Sequence, residues 1–284
     1  MQIITQKLVL ETIKLLKKRE IKSIIGRQRL RFSYQEISFY CYQIFLHTIE
    51  QKRYITIYKK LKTCRVNYST YMNNINLFST LFKHLFYLFN KITNIKASKL
   101  LNMIDSTLIP EKDSNFINNK DWSSGRVTTR GLKQDKTHIC GSKGFFMINR
   151  EGKIYHLERL NINYSDQNYL KNPYFLLNKL KGIVLADRGF SNKAVRERLE
   201  HNKTDIFNYD KPVCRLISPY RVNQLKKLTT KERKIYRKRW KIETMFQILK
   251  DSYSDIKLNL KGKYTSKLKE AKLFACAINY NLSM

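Results

Sequence analysis

Through residues 1–98, apolar side chains recur every three and four positions, the interval that keeps them on one face of a helix. The same stretch holds one glycine, Gly26, and no proline, so little in it interrupts a helix. Consecutive helices are the expectation. Ser33-Tyr-Gln-Glu36 precedes an apolar run with the spacing of a capping box, where side chain and backbone satisfy each other at a helix start. Leu77, Leu81, Leu85 and Leu88 mark a later amphipathic stripe. The most apolar stretch, residues 77–92, is broken by Lys83 and His84 and is too short to span a bilayer.

The rhythm changes near Lys99. Leu100-Leu-Asn-Met-Ile104 reads as a buried strand ending at Asp105, and Gly182-Ile-Val-Leu-Ala186 as another ending at Asp187. Between them a polar tract, residues 111–137, is rich in Asn, Ser, Gly and Lys and reads as a long loop. Residues 145–148 and 154–157 flank Asn149-Arg-Glu-Gly152 as a hairpin. Ser165-Asp166 caps a helix reaching Leu180, residues 192–201 are helical, and residues 216–219 form a short strand. Thr229-Thr-Lys-Glu232 opens a long helix to about Lys250, and residues 266–282 make a closing helix. Strand, hairpin, helix, strand, helix, strand, helix is an α/β order with one antiparallel pair at its front. The expected division is a helical segment at 1–98, an α/β segment at 99–256 and the closing helix within 257–284.

Charge adds a partner to this outline. Of 284 residues, 56 are Lys or Arg and 22 are Asp or Glu, a formal net charge of +34. Residues 1–100 alone hold 19 of the cations against 4 of the acids. An enzyme of small-molecule metabolism has no evident use for this imbalance. A phosphate polyanion has, because each cation that neutralises a phosphate releases a condensed counterion. A coding bias toward A and T raises Lys without suppressing acids, so nucleic acid is the favoured partner. The basic N-terminal helices are then either a helix-turn-helix reader of DNA or a helical arm. Cys41, Cys64, Cys140, Cys214 and Cys276 are scattered with no C-x-x-C pair, against both a zinc ribbon and a disulfide framework. The N-terminus lacks the basic-then-apolar order of a signal peptide, and a soluble cytosolic protein is expected.

Candidate chemistry gathers on three acids. Asp105 and Asp187 follow buried strands, and sites in open α/β sheets form at the carboxyl ends of strands. Glu243 lies within the long helix, where Tyr236, Arg239, Glu243 and Lys250 are spaced 3, 4 and 7 and so share one face. Phosphodiester cleavage needs an activated water on one side of the phosphorus and a stabilised leaving oxygen on the other. Two divalent ions about 3.5–4 Å apart supply both. Mg²⁺ prefers hard oxygen ligands, hence carboxylates rather than His or Cys. Arg239 and Lys250 would then hold a DNA backbone. Each acid also has an ordinary reading, as a turn residue, a helix cap or a surface ion pair. Asp166 is a fourth acid nearby whose context favours a helix cap.

Asp105-Ser-Thr, Asp187-Arg-Gly-Phe190 and Tyr236-x2-Arg239-x3-Glu243-x6-Lys250 together resemble the signature of DDE transposases of bacterial insertion sequences. Gly141-x-Lys143 and Ser218-Pro219-x-Arg221-x-Asn223 add to the match, which runs from residue 100 to 282. The resemblance implies a ribonuclease-H-like mixed sheet with flanking helices, preceded by an all-α N-terminal domain. It further implies that Asp105, Asp187 and Glu243 bind two Mg²⁺, with Mn²⁺ able to substitute, for cleavage and transfer of DNA strands. Tyr236, Arg239, Lys250, Lys143 and Arg221 are the expected DNA contacts. The partners expected are double-stranded DNA, as element ends and target, and further copies of the chain on those ends, without a membrane or a small-molecule substrate. A cytoplasmic, nucleoid-associated place follows from such a role. Two departures stand out: Phe190 replaces a usual Tyr, and 56 residues from Asp187 to Glu243 leave no room for the β insertion tied to hairpin formation in some relatives. The rival readings are a nuclease of the same fold without strand transfer, and a non-enzymatic DNA-binder such as a decayed copy.

Overall fold

The three-dimensional structure is a computed structural model, describing residues 4–26, 31–50, 53–61, 66–110, 125–130, 136–171, 180, 182–190, 214–219, 227–252 and 266–284. The chain forms two compact units, one built chiefly from Met1–Asn94 and Leu249–Met284, the other from Ile95–Ile109 and Ser123–Ile248.

In the first unit the three-and-four periodicity becomes helices α1 (Gln6–Lys14), α2 (Lys18–Ile25), α3 (Tyr34–Glu50), α4 (Tyr54–Lys60), α5 (Tyr68–Ser79) and α6 (Phe82–Ile92). The Ser33 capping box is present: the Glu36 amide donates to Ser33 Oγ at 3.2 Å, and the Ser33 amide donates to Glu36 Oε2 at 2.7 Å. Gly26 ends α2 at φ +67°, a left-handed conformation that suits a residue without a Cβ. Aromatic rings fill the interior, with Tyr40 stacked on Phe78 at 5.7 Å and Phe32 edge-on to Phe78 at 5.0 Å. The closing helix, which becomes the last helix of the chain at Ser266–Ser283, packs on α3, α5 and α6 and is buried on nearly every side from Leu268 to Asn281. Its buried polar side chains find partners there, Asn281 Nδ2 donating to Asn90 Oδ1 on α6 at 3.0 Å.

The second unit is a six-stranded mixed sheet in the order β2-β3-β1-β5-β6, with β4 also pairing β3. Its strands are β1 (Leu101–Pro110), β2 (Gly125–Arg130), β3 (Lys136–Asn149), β4 (Ile154–Asn161), β5 (Gly182–Ala186) and β6 (Cys214–Ile217). β1, β5 and β6 run parallel, and β3 is antiparallel to β2 through its first half and to β4 through its second. The predicted hairpin is the β3–β4 turn, where Asn149 Oδ1 accepts from the Glu151 and Lys153 amides at 3.0 Å each. Ile104, Phe145, Met147, Val184, Leu216 and Phe190 form the heart of its core. Gly182 opens β5 at φ +61°, where a Cβ would stand 2.2 Å from the Lys99 carbonyl oxygen. Only glycine admits that approach. Helix α7 spans Asp166–Lys171, α8 spans Thr230–Tyr236 and α9 spans Trp240–Ser252.

The structure corrects three expectations. Residues 111–137 are not loop throughout, because β2 and the start of β3 fall inside them. The β-branched run Val127-Thr-Thr129 outweighs the polar composition around it. Strand β1 does not stop at Ile104 but continues through Asp105 to Pro110, carried by Thr107, Leu108 and Ile109. The long helix from Thr229 is broken by a 3₁₀ turn over Arg237–Arg239, which joins α8 to α9. Residues 172–179, the helix expected at 192–201 and Arg221 lie outside the described residues.

Candidate active site

The parallel pairing of β1 and β5 sets Ile104 opposite Ala186, so the next residues along, Asp105 and Asp187, emerge side by side. Their proximity is a consequence of register rather than of loop conformation. Asp187 begins a 3₁₀ turn in which its carbonyl accepts from the Phe190 amide at 3.0 Å. Ser218, just past β6, donates its hydroxyl to the same carbonyl at 2.8 Å and ties the two strand ends together. Phe190 then turns into the core, fully buried, with its ring 5.9 Å from that of Phe145. Packing is the whole of its visible role, and a ring without a hydroxyl serves it.

Arg239 closes the site from the 3₁₀ turn. Its guanidinium donates from Nη2 to Asp105 Oδ2 in a very short ion pair, and from Nη1 to Glu243 Oε1 at 2.6 Å. Asp105 and Arg239 are largely shielded, with side chains 14% and 13% exposed, whereas Glu243 at 60% faces solvent. Arg239 Nε is buried and has no hydrogen-bond partner among the described residues. The sequence stripe expected this arginine on a phosphate; the fork observed joins two carboxylates.

Electrostatics reflects the crowding. Burial pushes the Asp105 carboxyl up to about 6, Asp187 and Asp166 push the same way, and Arg239 and the Ser106 amide oppose them. The Ser106 amide donates to Asp105 Oδ1 at 2.8 Å. Burial also raises the Tyr236 phenol, with Arg239 working against it and Asp187, Asp105 and Glu243 adding to it. Burial works against the Arg239 charge, yet the surrounding Asp105, Tyr236, Asp187 and Glu243 outweigh it and raise its pKa. The three acids, Arg239 and Tyr236 therefore share one electrostatic neighbourhood.

Asp166 departs from its expected role. Ser165 does the capping, its Oγ accepting from the Asn168 amide at 3.3 Å. The Asp166 carboxylate instead accepts from Ser106 Oγ at 2.7 Å and from Lys143 Nζ at 3.2 Å. A capping acid and a site acid look alike in sequence, and what separates them here is partners 60 and 23 residues away. Lys143 also donates to the Tyr164 carbonyl at 2.8 Å, so its ammonium is already engaged twice. Lys250 is exposed two turns beyond Glu243 on α9, and Arg221 is outside the described residues.

Among the described residues, no three His, Cys, Asp or Glu side chains form a group that could hold a metal ion, and the Arg239 guanidinium bridges Asp105 to Glu243. The donor chemistry nonetheless fits a hard divalent cation, since Asp105, Asp187 and Glu243 offer only carboxylate oxygen. No helix among the described residues is long and apolar enough to cross a membrane.

Two parallel strands that set aspartates side by side, in a mixed sheet flanked by helices, define a ribonuclease-H-like protein with an acidic site. Residues 97–282 match the family of the transposase DDE domain, and the chain belongs to that family. No curated protein and no solved structure matches it.

Proposed function

We propose that this protein is the transposase of an insertion sequence, binding the element's ends and catalysing metal-dependent cleavage and transfer of DNA strands. The observation that carries this reading is the β1–β5 register, which sets Asp105 beside Asp187, with Arg239 linking Asp105 to Glu243. Asp105, Asp187 and Glu243 would hold two Mg²⁺, for which Mn²⁺ would substitute. Those ions, when bound, supply an activated water and a stabilised leaving oxygen at the phosphodiester.

The chain's own groups do the rest. Arg239 orients Asp105 and Glu243 through its fork to both carboxylates. Tyr236 is protonated at neutral pH, as an ordinary phenol is, and offers a hydroxyl donor beside the acids. Lys143, Lys250 and Arg221 hold the DNA backbone in this reading, Lys143 through the one ammonium donor its two partners leave. Cleavage frees a 3′-hydroxyl at the element end, and attack of that hydroxyl on target DNA joins the strands. The protein acts on double-stranded DNA as a homo-oligomer at paired ends, in the cytoplasm with the nucleoid.

Incubating the protein and Mg²⁺ with labelled DNA carrying the element's own ends, together with a target plasmid, tests this directly. End cleavage followed by a joined product on a denaturing gel is expected. Cleavage without joining makes the protein a nuclease, and binding without cleavage makes it a non-enzymatic DNA-binder.

A further inference from the structure

One carboxylate outside the three acids touches both of the segments that carry the aspartates. Asp166 Oδ1 accepts from the hydroxyl of Ser106, the residue after Asp105, at 2.7 Å. The same oxygen accepts from Lys143 on β3 at 3.2 Å, and Lys143 is itself anchored on the Tyr164 carbonyl at 2.8 Å. The other oxygen, Oδ2, leans over Gly189, two residues after Asp187; a Cβ at Gly189 would stand 3.2 Å from it. Asp166 is not spent on its helix, since Ser165 supplies the cap.

We propose that Asp166 is a positioning residue, which through Ser106 fixes how the Asp105 carboxylate faces that of Asp187. The inference rests on the proposed metal-dependent function. Two neighbouring carboxylates repel, and without a restraint each would rotate toward solvent or toward its nearest cation. Ser106 is held on its hydroxyl by Asp166, while its amide holds Asp105 Oδ1 at 2.8 Å, so the latch reaches Asp105 through one residue. Lys143 offsets the charge of Asp166, which lets the latch sit near the pair with little added repulsion. Partners of this kind, one bond removed from a metal's ligands, typically govern affinity by 10–100-fold.

The test is Mn²⁺ uptake by the full-length protein without DNA, read from the loss of the free-ion electron paramagnetic resonance signal. Wild type, Asp166→Ala, Ser106→Ala and the double variant are compared, with the melting temperature of each followed in parallel. Each single variant is expected to weaken Mn²⁺ binding about tenfold or more. The double variant should be no worse than the weaker-binding single one, because both changes cut the same latch. Wild-type affinity in Asp166→Ala would overturn the proposal. So would loss in Asp166→Ala with Ser106→Ala unaffected, which would make Asp166 a ligand in its own right, or losses that simply add. If Asp166→Ala does not fold, Ser106→Ala alone decides, since it removes one hydroxyl: weakened uptake at an unchanged melting temperature supports the latch, and unchanged uptake overturns it. A wild-type protein that takes up no Mn²⁺ would instead contradict the metal site on which the inference rests.

Discussion

Burial raises the Asp105 carboxyl to about 6 even though Arg239 and the Ser106 amide both favour its charged form. The native state therefore binds a proton that the unfolded chain has already lost between about pH 4 and pH 6. Stability must fall as pH rises through that window and level off above it, by up to about 3 kcal/mol for this group. Urea midpoints of wild type and Asp105→Asn from pH 4 to 8 check this, and the variant should lack the Asp105 part of the slope. A divalent cation requires the ionised form, so cleavage is expected to fade as pH drops below about 6. At Lys250 the expectation is simpler. The side chain is exposed, so Lys250→Ala should leave stability within about 0.5 kcal/mol. It should also change the log–log salt slope of DNA binding by roughly one unit if Lys250 holds a phosphate. Arg239 behaves differently. Removing its guanidinium strips Asp105 and Glu243 of their shared partner, at a cost of about 1.5–3 kcal/mol in stability besides any loss of DNA affinity.

At the scale of elements, the two strands that deliver the aspartates depend on a tight approach at the start of β5. Gly182→Ala would put a Cβ 2.2 Å from the Lys99 carbonyl at φ +61°, and should cost about 3 kcal/mol or more in urea unfolding. Strand β5, the β3–β4 hairpin, the Ser33 box and the last helix were legible in the sequence because each rests on local signals: an apolar run, turn residues, a cap, a period. Strand β2 was not, since its residues are polar and its existence depends on pairing with β3. The 3₁₀ turn at Arg237–Arg239 was equally hidden, because its residues continue the helical pattern on either side. Of the candidate site, Asp105 and Asp187 were suggested by the strands they follow, and Arg239 and Glu243 by helical spacing. The link from Asp105 to Asp166 was not, as it exists only once β1 and the start of α7 meet.

For the whole molecule, a net charge of +34 makes non-specific attraction to DNA the default, so affinity alone says little about function. Membership in the transposase DDE domain family covers residues 97–282, and the N-terminal helices stand outside it. What distinguishes a transposase from a basic DNA-binder is chemistry at Asp105, Asp187 and Glu243. The most direct measurement is single-turnover cleavage of DNA bearing the element's own ends, in Mg²⁺ and in EDTA, by wild type, Asp105→Asn, Asp187→Asn and Glu243→Gln at equal DNA occupancy. Wild type should cut at the element end only with Mg²⁺, and each variant should bind and fold but not cut. Cleavage in EDTA, or a variant that cuts at the wild-type rate, would contradict the assignment of these three carboxylates as the catalytic site.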